Sequence, residues 1–125
     1  MTVEKIRIIL KDLTLTGELF DTLTARAVAE ALPIEAVPEE WGDEFYFEIP
    51  VEMPLDETAA AKVKVGDIGY WPPGNALAIF FGPTPISSGS EPVAASDVNI
   101  VGRVTGDATV LRSVKGAAKI RIEKD

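Results

Sequence analysis

The residue types that most often carry out catalysis are missing from this chain. It contains neither histidine nor cysteine, which excludes Ser-His and Cys-His nucleophilic sites, imidazole acid-base chemistry and Cys- or His-ligated metals. Ser87, Ser88 and Ser90 lack a Gly-x-Ser-x-Gly elbow, and Gly102 and Gly106 lack the context of a dinucleotide-binding loop. We therefore expect no cofactor and no bound zinc, iron or copper.

Carboxylates are the chemically active groups that remain. Glu39, Glu40, Asp43 and Glu44 could offer oxygen ligands to Ca²⁺ or Mg²⁺, but their spacing matches no known metal-binding loop, so we expect no metal there. Twelve basic and twenty acidic residues give a net charge of −8, which disfavours nucleic acid as a partner. The sequence has no apolar stretch of the ~20 residues that a membrane helix needs. We predict a cytoplasmic protein that binds neither nucleic acid nor membrane.

Aromatic rings concentrate in residues 66–85, GDIGYWPPGNALAIFFGPTP, which also hold four glycines and four prolines. Pro72, Pro73 and Gly74 predict a turn at the end of a barrel, which would bring Tyr70 and Trp71 to its rim. Phe80 and Phe81 would then alternate between core and pocket. One interpretation is a cleft lined by rings. The other is that the rings only fill the core.

The elements that would position these rings are mainly strands. Alternation and turn residues predict strands over residues 3–10, 13–19, 45–49, 63–70, 76–81, 98–104 and 119–123. One helix is predicted over residues 23–32, capped by Asp21 or Thr22 and ended by Pro33, with Leu23, Ala27, Val28, Ala31 and Leu32 as its apolar face. Residues 55–62 and 107–114 are predicted to be short helical turns. The length fits one domain over residues 1–125, and the pattern is typical of a barrel with a helical cap.

The order of the segments ELFDTLTARAVAEAL, FYFEIPVEM, ALAIFFG and IVGRV resembles that of the cyclophilins. Phe45–Met53 is similar to the family's F-x-x-x-x-P-x-x-M segment, and residues 66–85 look like the signature of a small prokaryotic group of cyclophilin-like proteins of unassigned function. The resemblance implies a mainly β fold. The resemblance further implies that this fold is a closed antiparallel β-barrel of about eight strands with one or two capping helices.

The resemblance also implies a candidate activity, peptidyl-prolyl cis-trans isomerisation. The family's pocket phenylalanine and methionine correspond to Phe81 and Met53. By the same resemblance the catalytic arginine falls on Phe47, a pocket aromatic falls on Glu52, and the histidine falls on Val98. The resemblance thus implies that the apolar residues of the isomerase pocket are retained and that its catalytic arginine and its histidine are absent.

We therefore predict a domain of uncharacterised function that binds a small ligand or peptide. Its predicted pocket consists of Phe47, Glu52, Met53, Trp71, Asn75 and Phe81. Glu52 and Asn75 would be its polar groups, favouring an apolar ligand with a hydroxyl, amide or cation. An isomerase with a rearranged site, in which Arg103 replaces the missing arginine, is the alternative. A third hypothesis is a structural or interaction role, in which an exposed strand edge pairs with a second copy of the chain.

Overall fold

Residues 3–125 are described by a computed structural model and contain ten β-strands and one α-helix. The strands are β1 (Glu4–Leu10), β2 (Leu13–Leu19), β3 (Ile34–Ala36), β4 (Glu39–Glu40), β5 (Glu44–Glu48), β6 (Ala60–Lys62), β7 (Asp67–Trp71), β8 (Ala76–Phe80), β9 (Val93–Val104) and β10 (Ile120–Lys124). The α-helix is α1 (Leu23–Ala31), and two 3₁₀ helices span Pro72–Gly74 and Ala108–Val114. The predicted mainly β fold is confirmed.

The strands form one antiparallel sheet in the order β3-β10-β1-β2-β9-β7-β8-β5-β4, with β6 paired to β9 outside this path. The edge strands β3 and β4 are separated in sequence only by Val37 and Pro38. The two ends of the sheet are thus consecutive in the chain, although hydrogen bonds do not pair β3 with β4. The antiparallel sheet is as predicted, whereas closure of a barrel by hydrogen bonds is not confirmed.

Apolar clusters cover both faces of the sheet at strand β8. Its main core includes Phe45, Phe47 and Ile79, while Ala78 and Phe80 pack on the opposite face with residues from the segments that follow β5 and β8. Alternate residues of a strand point to opposite faces, so β8 is buried on both sides. A second layer of chain, formed by β6 and the first half of β9, therefore covers part of the outer face.

Helix α1 begins as predicted but presents a different face to the sheet. Thr22 is the cap, because its Oγ1 accepts a hydrogen bond from Ala25 N at 3.1 Å. The buried residues are Thr24, Ala25 and Val28, whereas Leu23 is 73% exposed. The predicted apolar face is therefore wrong at Leu23.

A buried polar network explains the orientation of this helix. The side chain of Asn99, which is 0% exposed, donates to Thr24 Oγ1 at 3.1 Å and to the Pro54 carbonyl at 2.9 Å. Its Oδ1 accepts from Asp56 N at 2.8 Å. Asp56 in turn accepts from the Thr24 hydroxyl and from Thr58 N. Because Thr24 belongs to this network, α1 turns Thr24 inward and Leu23 outward.

The helical turn predicted over residues 55–62 is not present. Asp56 N donates to the Asn99 side chain of the same network rather than to a preceding helical carbonyl, and residues 60–62 form β6 against β9, so that prediction is wrong. The strand predicted over residues 98–104 begins earlier, at Val93, and the one over 63–70 begins later, at Asp67. Strands β3 and β4 were not predicted, and the single-domain organisation stays a prediction. Across residues 3–125 no helix has both the length and the apolar character to span a membrane.

Candidate functional site

A cavity of about 230 Å³ opens on the outer face of the sheet. We call it the tryptophan cavity, and it is lined by Trp41, Glu44, Tyr46, Trp71, Ala94, Ala95 and Val98. The chain has two tryptophans, and both lie in this wall. Alanine and valine from β9 complete an apolar enclosure with a single charged lining residue.

Strand β5 supplies one side of the tryptophan cavity through its period-two alternation. Glu44 and Tyr46 face the cavity, while Phe45 and Phe47 belong to the main core on the other face. The turn that joins β4 to β5 is closed by a hydrogen bond from Trp41 N to the Glu44 carbonyl at 3.0 Å. This turn places the Trp41 ring beside Glu44.

The Trp71 indole is fixed from two directions at the end of β7. Its Nε1 donates to Ser96 Oγ at 2.7 Å. A Cβ at Gly74 would lie 2.9 Å from Trp71 Cζ3, so the absence of a side chain there lets the ring lie against the 3₁₀ turn. Gly74 in the Pro72–Gly74 turn therefore leaves the space that the Trp71 ring occupies.

Within residues 3–125, Glu44 is a buried carboxyl group without a salt-bridge partner. It is 7% exposed, and its Oε1 is buried without a hydrogen-bond partner. Burial raises the pKa of Glu44 to about 7 from the ordinary glutamate value of 4.5. Near neutral pH, Glu44 is therefore populated in two forms. The ionised carboxylate accepts hydrogen bonds, and the neutral carboxylic acid can also donate one.

The neighbouring Asp43 has the opposite environment. Arg112 Nε and Lys115 Nζ each lie 2.7 Å from its carboxylate oxygens. Burial opposes its ionisation, but the hydrogen bonds and charges of Lys115 and Arg112 prevail and lower its pKa. Asp43 thus has two cationic partners, whereas none of the ion pairs found among residues 3–125 includes Glu44.

A second, wider groove of about 490 Å³ adjoins the tryptophan cavity and shares Tyr46 and Trp71 with it. Its other lining residues are Ala36, Val37, Glu39, Phe47, Glu48, Gly74 and Ala76. Two more carboxylates therefore lie in the groove, and no lysine or arginine is among the described residues that line either space. In residues 3–125 no group of three or more carboxylates is arranged to hold a metal ion.

The residues predicted to form the ligand pocket lie in different parts of the structure. Trp71 lines both spaces, and Phe47, although 2% exposed, lines the groove. Phe81 is 0% exposed and packs in the core, with its ring centroid 4.9 Å from that of Phe45. Trp71 and Phe47 thus share the groove lining although they pack on opposite faces of the sheet, and Phe81 lines neither space.

Tyr70 relates the predicted pocket residues Met53, Asn75 and Glu52. The prediction that Tyr70 lies at the rim is wrong, because it is 0% exposed and its hydroxyl donates to the Val51 carbonyl at 2.6 Å. The buried Tyr70 hydroxyl accepts from Met53 N at 3.3 Å and lies 3.2 Å from Asn75 Oδ1. Burial raises the pKa of Tyr70, and the charge of Glu52 adds to this effect. Glu52 itself is exposed and lines a separate shallow depression beside α1. The predicted pocket as a whole stays a prediction.

Sequence reasoning missed Trp41, Glu44 and Tyr46. The available signal was the alternation of Glu44, Tyr46 and Glu48 on a strand whose intervening residues are phenylalanines. Glu44 was instead grouped with Glu39, Glu40 and Asp43 as oxygen ligands for a cation, a site that their spacing did not support.

Comparisons with known proteins agree on the fold. A family model described as Cyclophilin-like matches residues 4–123. The solution structure of the hypothetical protein AF2241 from Archaeoglobus fulgidus is 35% identical, with a TM-score of 0.80, and the match covers 98% of this chain and 95% of that one. McbB in complex with tryptophan is 16% identical, with a TM-score of 0.72, over 96% of this chain but 44% of McbB. No curated protein matches the chain significantly.

Proposed function

The chain belongs to the cyclophilin-like family, and from this premise we propose that it is a binding domain that holds a small ligand in the tryptophan cavity. The observation that carries the proposal is an aromatic-lined cavity that contains one buried, unpartnered carboxyl group, Glu44. Ligand sites are typically apolar concavities with a few polar groups, and perturbed carboxyl groups concentrate in them.

The size of the cavity limits the ligand. Drug-sized molecules occupy pockets of about 300–1,000 Å³, whereas this cavity measures about 230 Å³. A ligand with one small ring or a branched alkyl group fits between Trp41, Tyr46 and Trp71. A longer molecule would extend from the cavity into the adjoining groove, which shares Tyr46 and Trp71 with it.

Prolyl isomerisation is poorly supported by the residues that would have to perform it. Phe47 stands where the family resemblance puts the catalytic arginine, and its buried hydrocarbon ring cannot donate a hydrogen bond to a proline nitrogen. Arg103, the alternative donor, has its Nε 2.9 Å from Glu18 Oε1 on the neighbouring strand. We therefore propose binding without isomerisation.

The test uses the two tryptophans as built-in reporters. A set of small ring-bearing fragments, including indole and the tryptophan found in the McbB complex, would be titrated while indole fluorescence and the two indole N–H signals in ¹H–¹⁵N spectra are recorded. We expect at least one fragment to change both tryptophan signals, because both rings line the same cavity.

Two alanine variants locate the binding site. Ala95 is exposed and lines the cavity, so Ala95→Phe should fill the opening and abolish the response. Ala118 is exposed and lies outside the lining, so Ala118→Phe adds the same ring elsewhere and should bind like wild type. Absence of any response, or an equal response in Ala95→Phe, would contradict the proposed function.

A further inference from the structure

We infer that the ligand of the tryptophan cavity carries an alkylammonium group, which sits against the aromatic rings and beside the Glu44 carboxylate. The inference rests on the proposed function and specifies the chemistry of its ligand.

The charges around the cavity are of one sign. Glu44 lines the cavity, Glu39 and Glu48 line the adjoining groove, and neither lining contains a lysine or arginine in the described chain. An anionic ligand would be repelled by this field, and a neutral ligand would leave the carboxylates uncompensated. A cation is the ligand whose charge complements the site.

The rings provide the second part of the recognition. A cation is attracted to the face of an aromatic ring, most strongly to tryptophan, and substituted ammonium groups are often bound by several such rings. Trp41, Tyr46 and Trp71 all line this one cavity. In the described residues, the cation–π contact that the chain makes internally is Lys115 over Phe81, at 5.7 Å from the ring centroid, so the chain's own cations do not use these rings.

The hydrogen-bonding groups of the cavity favour the same ligand. The Trp71 N–H already donates to Ser96 Oγ, so it is not free to donate to a ligand. The Glu44 Oε1 atom is buried and has no partner. Burial makes the ionised form of Glu44 unfavourable unless a positive charge lies nearby. An alkylammonium group supplies that charge together with methyl or methylene groups that fit apolar walls.

The decisive experiment compares choline with 3,3-dimethyl-1-butanol, which has the same shape but a neutral carbon in place of the ammonium nitrogen. Binding would be followed by the same indole signals. We expect choline to bind about tenfold or more tightly than the alcohol, which corresponds to about 1.4 kcal/mol. Glu44→Gln should weaken choline binding about tenfold and leave the alcohol unchanged. Glu57→Gln removes the same charge from an exposed loop and should leave both unchanged.

The outcomes separate this inference from the proposed function. If the alcohol binds as tightly as choline, or if Glu44→Gln binds choline like wild type, the inference is overturned while the ligand-binding function stands. The same holds if ring-bearing fragments bind and choline does not. If no probe changes either indole signal, both the inference and the proposed function fail. Circular dichroism of each variant would confirm that its fold is intact.

Discussion

Replacing Glu44 with glutamine is expected to stabilise the protein at alkaline pH and to remove part of the pH dependence of its stability. The carboxyl group is 7% exposed, and Oε1 has no hydrogen-bond partner. Burial raises its pKa from 4.5 to about 7, so the folded state retains a proton that the unfolded chain has released. Glutamine has nearly the same shape and carries no charge at any pH.

The magnitude follows from the shift in pKa. Between pH 4.5 and about 7 the folded state binds more protons at this site than the unfolded state, so the free energy of unfolding falls as the pH rises. Each pKa unit corresponds to about 1.36 kcal/mol. Ionisation of Glu44 therefore lowers the free energy of unfolding by about 3 kcal/mol above pH 7. Below pH 4.5 the group is protonated in both the folded and the unfolded state, and it does not lower the free energy of unfolding.

The assay is urea unfolding of both proteins between pH 4.5 and 9, followed by far-ultraviolet circular dichroism. The free energy of unfolding of Glu44→Gln minus that of wild type should rise by about 3 kcal/mol over this range. Asp43 and Asp56, whose pKa values are lowered, and Asp67, whose pKa is raised, are shared by both proteins and cancel. Glu57→Gln, in an exposed loop, should unfold in parallel with wild type. A pH-independent difference between Glu44→Gln and wild type would refute the reasoning.

Three further perturbations test the core, the polar network and the missing isomerase chemistry. Phe81→Ala should lower the free energy of unfolding by about 3–5 kcal/mol, because it empties a fully buried ring site; a loss below about 1 kcal/mol in urea unfolding would show that the site is not packed as described. Asn99→Ala should lower it by about 1–3 kcal/mol for each buried group left unpaired, including Asp56 N, and should speed hydrogen exchange at that amide; unchanged exchange would contradict the network. In a refolding-coupled assay we expect prolyl isomerase activity at least about 100-fold below that of a cyclophilin with its arginine, because Phe47 cannot supply the donor. Cyclophilin-like turnover that is lost in Arg103→Ala would reverse that conclusion.

The parts of the fold that could be predicted are those whose sequence pattern repeats over several residues. β1, β2 and β8 were predicted within a residue or two, because alternation and bounding turns are local properties. β3 and β4 are three and two residues long, too short to show a period, and they exist because β10 and β5 pair with them. Their position depends on contacts with distant segments.

The candidate site was predictable only in part for a similar reason. Trp71 was identified, because the proline and glycine residues that follow it fix a turn locally. Glu44 shares its cavity with Ala94 and Val98, which belong to a segment much later in the chain. Nothing in the local run of carboxylates distinguishes the one that becomes covered from those that stay in water.

The arrangement of β3 has a consequence for the order in which the molecule folds. Within residues 3–125 its strand partner is β10, and the contact joins Glu35 to Arg121 across 86 residues of chain. Contacts between such distant segments close large loops and form slowly. Ala36, the last residue of β3, and the adjacent Val37 both line the acidic groove. A nascent chain that has not yet emerged as far as residue 120 lacks the strand that holds this wall in place. The wall that Ala36 and Val37 give to the groove therefore depends on a strand pairing that only β10, the last strand of the sheet to be synthesised, can supply.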